Sequence, residues 1–213
     1  MEIQKIDRRI FSTQYFGGIE FYATIIQFNF CAIEGHENYQ KRSLRNRVHI
    51  LGPQGKDVLT VPLIKGKNAQ SAIEKVEISY DEDWVRQHLQ SIQSYYGKSP
   101  FLEYYIDDIQ RILMSKHTFL WDLNNALITY ICKCLEIESN HIYTKSYHRE
   151  YIYDYRNSNN PSYEQMRAKV LEKLRYNQVF EEKHGFVAGL SILDLLFCRG
   201  PEAGLLLKRV LIP

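Results

Sequence analysis

The chain has 213 residues, a formal net charge of +2 at neutral pH, and 45% hydrophobic residues. That is enough chain to bury a sizeable core, and too little net charge to hold nucleic acid by charge alone. No apolar run reaches the roughly 18 residues that a membrane helix needs. The opening stretch, Met1 to Arg9, lacks the apolar core of a signal peptide. Cys31, Cys132, Cys134 and Cys198 form no CxxC pair and no Cys/His set with zinc spacing. They read as reduced thiols in a cytoplasmic protein with no metal site.

Residues 10–15 read as a short strand, Phe16-Gly17-Gly18 as a break, and 19–28 as a helix apolar on most sides and therefore buried. Strand, glycine pair and buried helix form a geometry in which backbone N–H groups can meet an anion. The same glycines also suit a plain tight turn, and without a full phosphate-loop pattern the turn is the favoured reading. Residues 28–33 read as a second strand that delivers the chain to its most distinctive stretch, 34–50. There Lys41, Arg42, Arg45 and Arg47 fall within seven residues, with Tyr39 and Asn46 among them and His36 and His49 flanking. Cations this close repel one another, so they sit in water, pair with acids or await an anionic ligand. The stretch points to an anion site.

Gly52-Pro53-Gln54-Gly55 is a turn signal, and 58–64 is a strand whose Pro62 marks an edge or an end. Residues 73–80 alternate loosely and predict a further strand. Trp84, His88, Leu89, Ile92 and Tyr96 then follow helical spacing, with Ser79 and Asp81 or Glu82 as caps and Gly97 as the stop. Ser99-Pro100 supplies a cap and first position for the next helix, which carries Leu102, Ile106, Ile109 and Leu113 on one face. A third helix covers 119–135. His88, on an apolar face, reads as a packed histidine.

After Glu136 the composition turns polar, with a short strand at 141–144 and a loop at 147–162 of the kind that serves as a lid or stays disordered. A helix follows over 163–175. Ser191 and Asp194 form a capping box ahead of an apolar helix closed by Gly200-Pro201. Just before it, Glu181, Glu182, Lys183 and His184 gather beside Gly185. They read either as the source of a general base or as a solvated turn into the helix. The pattern predicts an α/β (or α+β) fold as one domain over 1–213. A small mixed sheet from the first eighty or so residues packs with a mainly helical middle and C-terminal part.

The motifs His36-Glu-Asn-Tyr-Gln-Lys41, Arg45-Asn-Arg47, Val61-Pro62, Ser99-Pro-Phe101 and Gln178-Val-Phe-Glu-Glu-Lys-His-Gly-Phe186 resemble the WbqC-like family in its Bacteroidetes form. Leu190-Ser-Ile-Leu-Asp-Leu-Leu-Phe-Cys-Arg-Gly-Pro-Glu202 completes a collinear resemblance over nearly the whole chain. Gly17-Gly18 stands where members of the family often carry prolines. The resemblance implies a place beside surface-polysaccharide (O-antigen) biosynthesis, where amino sugars on nucleotide carriers receive acyl or aminoacyl groups. It carries over no set of catalytic residues.

Two expectations follow. In the first, the protein is a transferase for a nucleotide-activated amino sugar, with a nucleotide or nucleotide sugar as its ligand. Arg45 and Arg47 grip the phosphates bidentately and Lys41 and Lys183 act as point charges. Asn46 and Tyr39 orient hydroxyls, and His36 or His184 takes the proton from the amine. In the second, the protein is a non-catalytic binding partner or scaffold of a polysaccharide assembly complex, docking through 34–50 on an acidic surface. Convergence of Lys41, Arg45 and Arg47 with His184 in one concave pocket favours the first, and a flat, solvated cluster favours the second. Nucleic acid is disfavoured as a partner in both.

Overall fold

The computed structural model describes residues 6–28, 31–64, 71–137 and 142–210. β1 (Ile6–Ser12) leads through α1 (Ile19–Gln27) to β2 (Cys31–Glu34), which pairs parallel with β1 from Arg9↔Cys31 to Ser12↔Glu34. β5 (Ile142–Tyr143) adds outside β2 and β6 (Tyr151–Tyr155) outside β1, both parallel, giving the order β5-β2-β1-β6. Parallel strands are covered on both faces. Phe11 and Ile33 accordingly face the main core, while Ile10, Ala32 and Tyr151 form a small cluster on the other face. The chain leaves β1 toward β2 on one side and returns with β6 on the other, so the winding reverses between β1 and β6.

β3 (Arg47–Gly52) and β4 (Gly55–Thr60) make a separate antiparallel hairpin, closed by the turn expected at 52–55. Successive strand side chains face opposite ways. Val48 and Ile50 are buried while Arg47 and His49, on the other face, are only partly covered. α2 (Trp84–Tyr96), α3 (Leu102–Met114) and α4 (Leu120–Cys134) follow, each burying the face that its spacing predicts. The C-terminal part adds α5 (Pro161–Lys173), the short α6 (Glu181–His184), α7 (Ile192–Arg199) and α8 (Glu202–Arg209). The class is mixed α/β, with two of the four parallel strands drawn from 142–155 rather than from the first eighty residues.

Several local expectations are corrected. β1 ends at Ser12 because the chain then leaves the sheet, and Tyr15 N donates to Leu44 O at 3.0 Å. β2 begins at Cys31, and residues 29 and 30 of the strand expected at 28–33 lie outside the described residues. In place of a strand at 73–80 there is one 3-10 turn, Ile73–Lys75, followed by single bridges from Glu77 to Phe119 and from Ile78 to Leu63. That turn sends both Ile73 and Val76 into the core, three residues apart. Ser99 closes α2 instead of opening α3, its hydroxyl donating to Tyr96 O at 2.6 Å. Asp83 precedes α2, while Ser79 Oγ donates to Asp81 Oδ2 within the approach loop. The segment 147–162 carries β6, which places Tyr151 and Tyr155 in buried positions beside β1. Ser191 caps α7 as expected, but Asp194 turns away from the cap to accept from the Tyr176 hydroxyl and Gln178 Nε2. α8 follows Gly200-Pro201 and buries Ala203 and Leu207.

No helix among the described residues is long and apolar enough to cross a membrane. The cysteines are free, and burial pushes the Cys31, Cys132 and Cys198 thiols up to about 12, which makes them poor nucleophiles.

His88 is packed, as its position predicts: it is 5% exposed, its ring centroid lies 5.1 Å from that of Trp84, and Nδ1 hydrogen-bonds the Tyr15 hydroxyl at 3.0 Å. Burial lowers its pKa from 6.5 to about 4. Below pH 6.5 the unfolded chain takes up a proton that the folded chain refuses, so stability falls as the pH drops through this window. The contribution is about 3 kcal/mol at most. Denaturant melts from pH 7 to 4 should show a shallower loss in His88→Gln than in the wild type, and parallel profiles would contradict this account.

Candidate functional site

A cavity of about 570 Å³ opens at the carboxyl ends of β1 and β6, within the usual size of small-molecule sites. Ser12 and Gln14 line it from the end of β1, Tyr155 and Arg156 from the end of β6, and Arg47 and His49 from β3. In an open parallel sheet the crevice where the winding reverses is where ligands bind, and the cavity lies there.

Three helices begin at its wall. Gly17 and Gly18 precede α1, Asn157 to Asn159 precede α5, and Leu190 and Ser191 precede α7. The first turns of helices carry unsatisfied N–H groups and a partial positive charge. α5 and α7 are capped by Asn160 and Ser191, whose side chains accept from Ser162 N and Leu193 N, whereas α1 has no side-chain cap. Ile192 N donates to Gly17 O at 3.1 Å and Ser191 N to His49 O at 2.9 Å, which fixes α1, α7 and β3 around one space. Gly17 adopts φ +73°, open to glycine at little cost, and a Cβ there would lie 2.8 Å from the Tyr22 ring. The glycine pair is thus a tight turn that also sits at the cavity wall.

Six cations line the cavity, Lys41, Arg42, Arg45, Arg47, Arg156 and Arg167, against two carboxylates, Glu20 and Glu164. Three of the six are committed. Arg45, 2% exposed, donates from Nε and Nη2 to Glu37 Oε1 and Oε2 at 2.9 and 2.6 Å, and from Nη2 to Arg156 O at 3.1 Å. Burial pushes the Glu37 carboxyl up and the Arg45 guanidinium pulls it back. Arg156 donates to Asp154 at 2.6 and 3.0 Å and to the His148 and Arg149 carbonyls, with Glu34 Oε2 at 3.5 Å. Arg167 lies 3.8 Å from Glu20. Lys41, Arg42 and Arg47 have no carboxylate within 4.0 Å among the described residues, and Arg47 Nε is buried without a hydrogen-bond partner. Arg42 occupies the left-handed region at φ +57°, a conformation that costs a non-glycine residue about 1–3 kcal/mol and that clusters at functional sites.

His49 is the histidine that lines the cavity. Its pKa is lowered from 6.5, first by burial, then by Lys56 and Arg167, with Glu20 opposing and Arg47 adding. It is therefore neutral at pH 7, and its Nδ1 is buried without a partner among the described residues. A neutral imidazole in a cationic cavity can accept a proton.

The structure brings Lys41, Arg45 and Arg47 to one concave surface, without His184. Tyr39 and Asn46 lie outside the lining. The Tyr39 hydroxyl donates to Asn46 Oδ1 at 3.1 Å, and Asn46 Nδ2 donates to Val61 O at 2.9 Å. His36 is also elsewhere, with Nε2 3.0 Å from Thr144 O and Nδ1 3.5 Å from Glu74. His184 and Lys183 sit on α6, where Lys183 Nζ donates to Pro53 O at 2.6 Å. Arg42 and His49 belong to the stretch that the sequence marks as an anion site, though with no role assigned, and Glu20, Arg156, Tyr163 and Arg167 are not singled out by sequence reasoning. A signal for His49 exists in its spacing from Arg47, two residues apart and so on one face of a strand. Arg156, Tyr163 and Arg167 arrive from more than a hundred residues downstream, and only the fold brings them here.

The model of the WbqC-like protein family matches residues 13–157, which begin just after β1, run from α1 through β6 and make up more than half of the chain. Comparisons with curated proteins and with solved structures give no match.

Removing the Arg45 side chain leaves Glu37 buried and unpaired. Arg45→Ala should therefore cost about 3–5 kcal/mol of stability, while Lys41→Ala, at an exposed position, should stay within about 0.5 kcal/mol of the wild type. Urea denaturation of both variants checks this, and equal stabilities would contradict a structural role for Arg45.

Proposed function

The chain belongs to the WbqC-like protein family, and we propose that it is a transferase that binds a nucleotide-activated amino sugar in this cavity and passes an acyl or aminoacyl group to the sugar amine. The observation that carries the reading is the set of three cations, Lys41, Arg42 and Arg47, that face a cavity at the winding reversal with no carboxylate partner among the described residues. A diphosphate supplies the charge they lack, gripped bidentately by arginine and by lysine as a point charge, beside the uncapped first turn of α1. The family's resemblance to proteins of surface-polysaccharide biosynthesis selects an amino sugar among phosphorylated ligands.

In the reaction the amine nitrogen bonds to the carbonyl carbon of an activated acyl ester or thioester. The bond from that carbon to oxygen or sulfur breaks, and the amine proton passes to His49. Arg45, Tyr39 and Asn46 hold the frame in this reading, and His36, His184 and Lys183 take no part.

The test is a thermal-shift and calorimetric screen of ADP, GDP, UDP, dTDP and pyrophosphate. A ligand at 100 times its Kd adds about 2.7 kcal/mol to stability, and Arg47→Ala should weaken the best ligand by roughly 10–100-fold, the worth of one charged hydrogen bond. The absence of any shift would turn the reading to a basic turn that docks on an acidic protein surface. With a substrate in hand, the acid limb of kcat/KM should centre below 6.5, where His49 gains its proton. A limb centred above that value, or full turnover in His49→Asn, would remove His49 as the base.

A further inference from the structure

We infer that Glu20 is the residue that recognises the acceptor amine, an inference that rests on the reading of the cavity as a nucleotide-sugar site. Glu20 stands in the first turn of α1 and is 3% exposed. One of its oxygens is spoken for: Oε1 accepts from the Tyr163 hydroxyl at 2.7 Å and lies 3.8 Å from Arg167 Nε. The other, Oε2, is buried with no hydrogen-bond partner among the described residues, although the side chain lines the cavity. Buried polar atoms are almost always paired, so a lone carboxylate oxygen on a cavity wall points to a donor that the ligand brings. Gly18 makes room for the carboxylate: a Cβ there would lie 2.6 Å from Oε1 and 2.8 Å from Oε2. The charge itself is favoured by the positive end of α1.

The count of acceptors identifies the donor as an amine. Two buried atoms without partners among the described residues belong to side chains that line the cavity, the acceptor Glu20 Oε2 and His49 Nδ1, which accepts in the tautomer that carries its proton on Nε2. A hydroxyl has one proton and can satisfy only one of them, whereas a primary amine has two N–H groups and can satisfy both. Burial, then Lys56, Arg167 and Arg47, drive His49 toward its neutral form while Glu20 opposes them, so His49 can take the proton that the amine gives up before it attacks. The nitrogen then donates one N–H to Glu20, presents the other to His49, and keeps its lone pair for the acyl carbon. Glu20 in this way sets the specificity of the acceptor for nitrogen over oxygen.

The experiment measures binding, by calorimetry, of the nucleoside diphosphate that stabilises the protein most. It also measures the hexoses on that carrier with a 2-, 3- or 4-amino group and the parent hexose with hydroxyls only. The wild type should prefer one amino sugar over the parent by about tenfold or more. In Glu20→Gln the carboxamide can still accept from Tyr163 but turns an N–H toward the ligand. The preference should then fall to about twofold or less, while the bare diphosphate still binds. Tyr163→Phe, which frees Oε1 without removing the carboxylate, should reduce the preference and carries the test if Glu20→Gln does not fold. If no diphosphate binds the wild type, the nucleotide-sugar reading itself fails. If the diphosphate binds but the amino preference is absent, or survives undiminished in the folded variants, the assignment of Glu20 fails.

Discussion

At the root of the cavity a guanidinium and a carboxylate, 2% and 6% exposed, meet through two hydrogen bonds. Arg45 comes from the turn before β3 and Glu37 from the loop after β2. The same guanidinium reaches the Arg156 carbonyl at the end of β6, and the Arg45 carbonyl accepts from Asn124 on α4. One residue thus ties the hairpin, the loop after β2, the last strand and a core helix. Its neighbour Asn46 closes the same junction, exchanging backbone and side-chain bonds with Val61. A buried ion pair is weak evidence of net stability, because desolvation offsets the attraction. Its effect here is geometric: it sets the direction in which the rest of the basic turn points.

That division of labour resolves the repulsion within the cation cluster. Arg45 is neutralised inside the protein, and Arg156, arriving from the other side, is neutralised by Asp154 and Glu34. Lys41, Arg42 and Arg47 are left facing the cavity with their charge uncompensated among the described residues. The beginnings of α1, α5 and α7 add partial positive charge at the same wall. Opposite signs meet at one place, where Glu20 is held beneath Gly18 by Tyr163. The cavity is therefore polarised, with cations along the basic turn and a buried carboxylate beside the neutral His49. A ligand with a polyanionic part and a nitrogen donor matches both features.

Much of this was legible in the chain, and what was not has physical reasons. Helical periodicity marks α2 to α4 within one or two residues, since each buries one face against a continuous core, and α1 is marked by being apolar on most sides. The dense cations at 41–47 stand out in the sequence because their number exceeds the acids close by, although Glu37 neutralises Arg45 from eight residues away. The strand β3 hid within that stretch, because Arg47 and His49 alternate with Val48 and Ile50 and the charge obscured the period of two. Histidines were weighed by their sequence neighbours, which favoured His36 and His184, whereas proximity to the cavity depends on strand direction and favours His49. Glu20 was hidden by its surroundings: a single acid in an apolar helix right after Gly17-Gly18 is itself a signal, but its partner Tyr163 is 143 residues away. β5 and β6 owe their place in the sheet to pairing with β2 and β1, which no local pattern encodes.

The most direct test is a crystal structure of the complex with the nucleoside diphosphate that stabilises the protein most. The account predicts the two phosphates between Lys41, Arg42 and Arg47 at the carboxyl ends of β1 and β6, with Arg45 still joined to Glu37. A diphosphate bound away from this cavity, or an Arg45 side chain turned from Glu37 onto the phosphates, would contradict it.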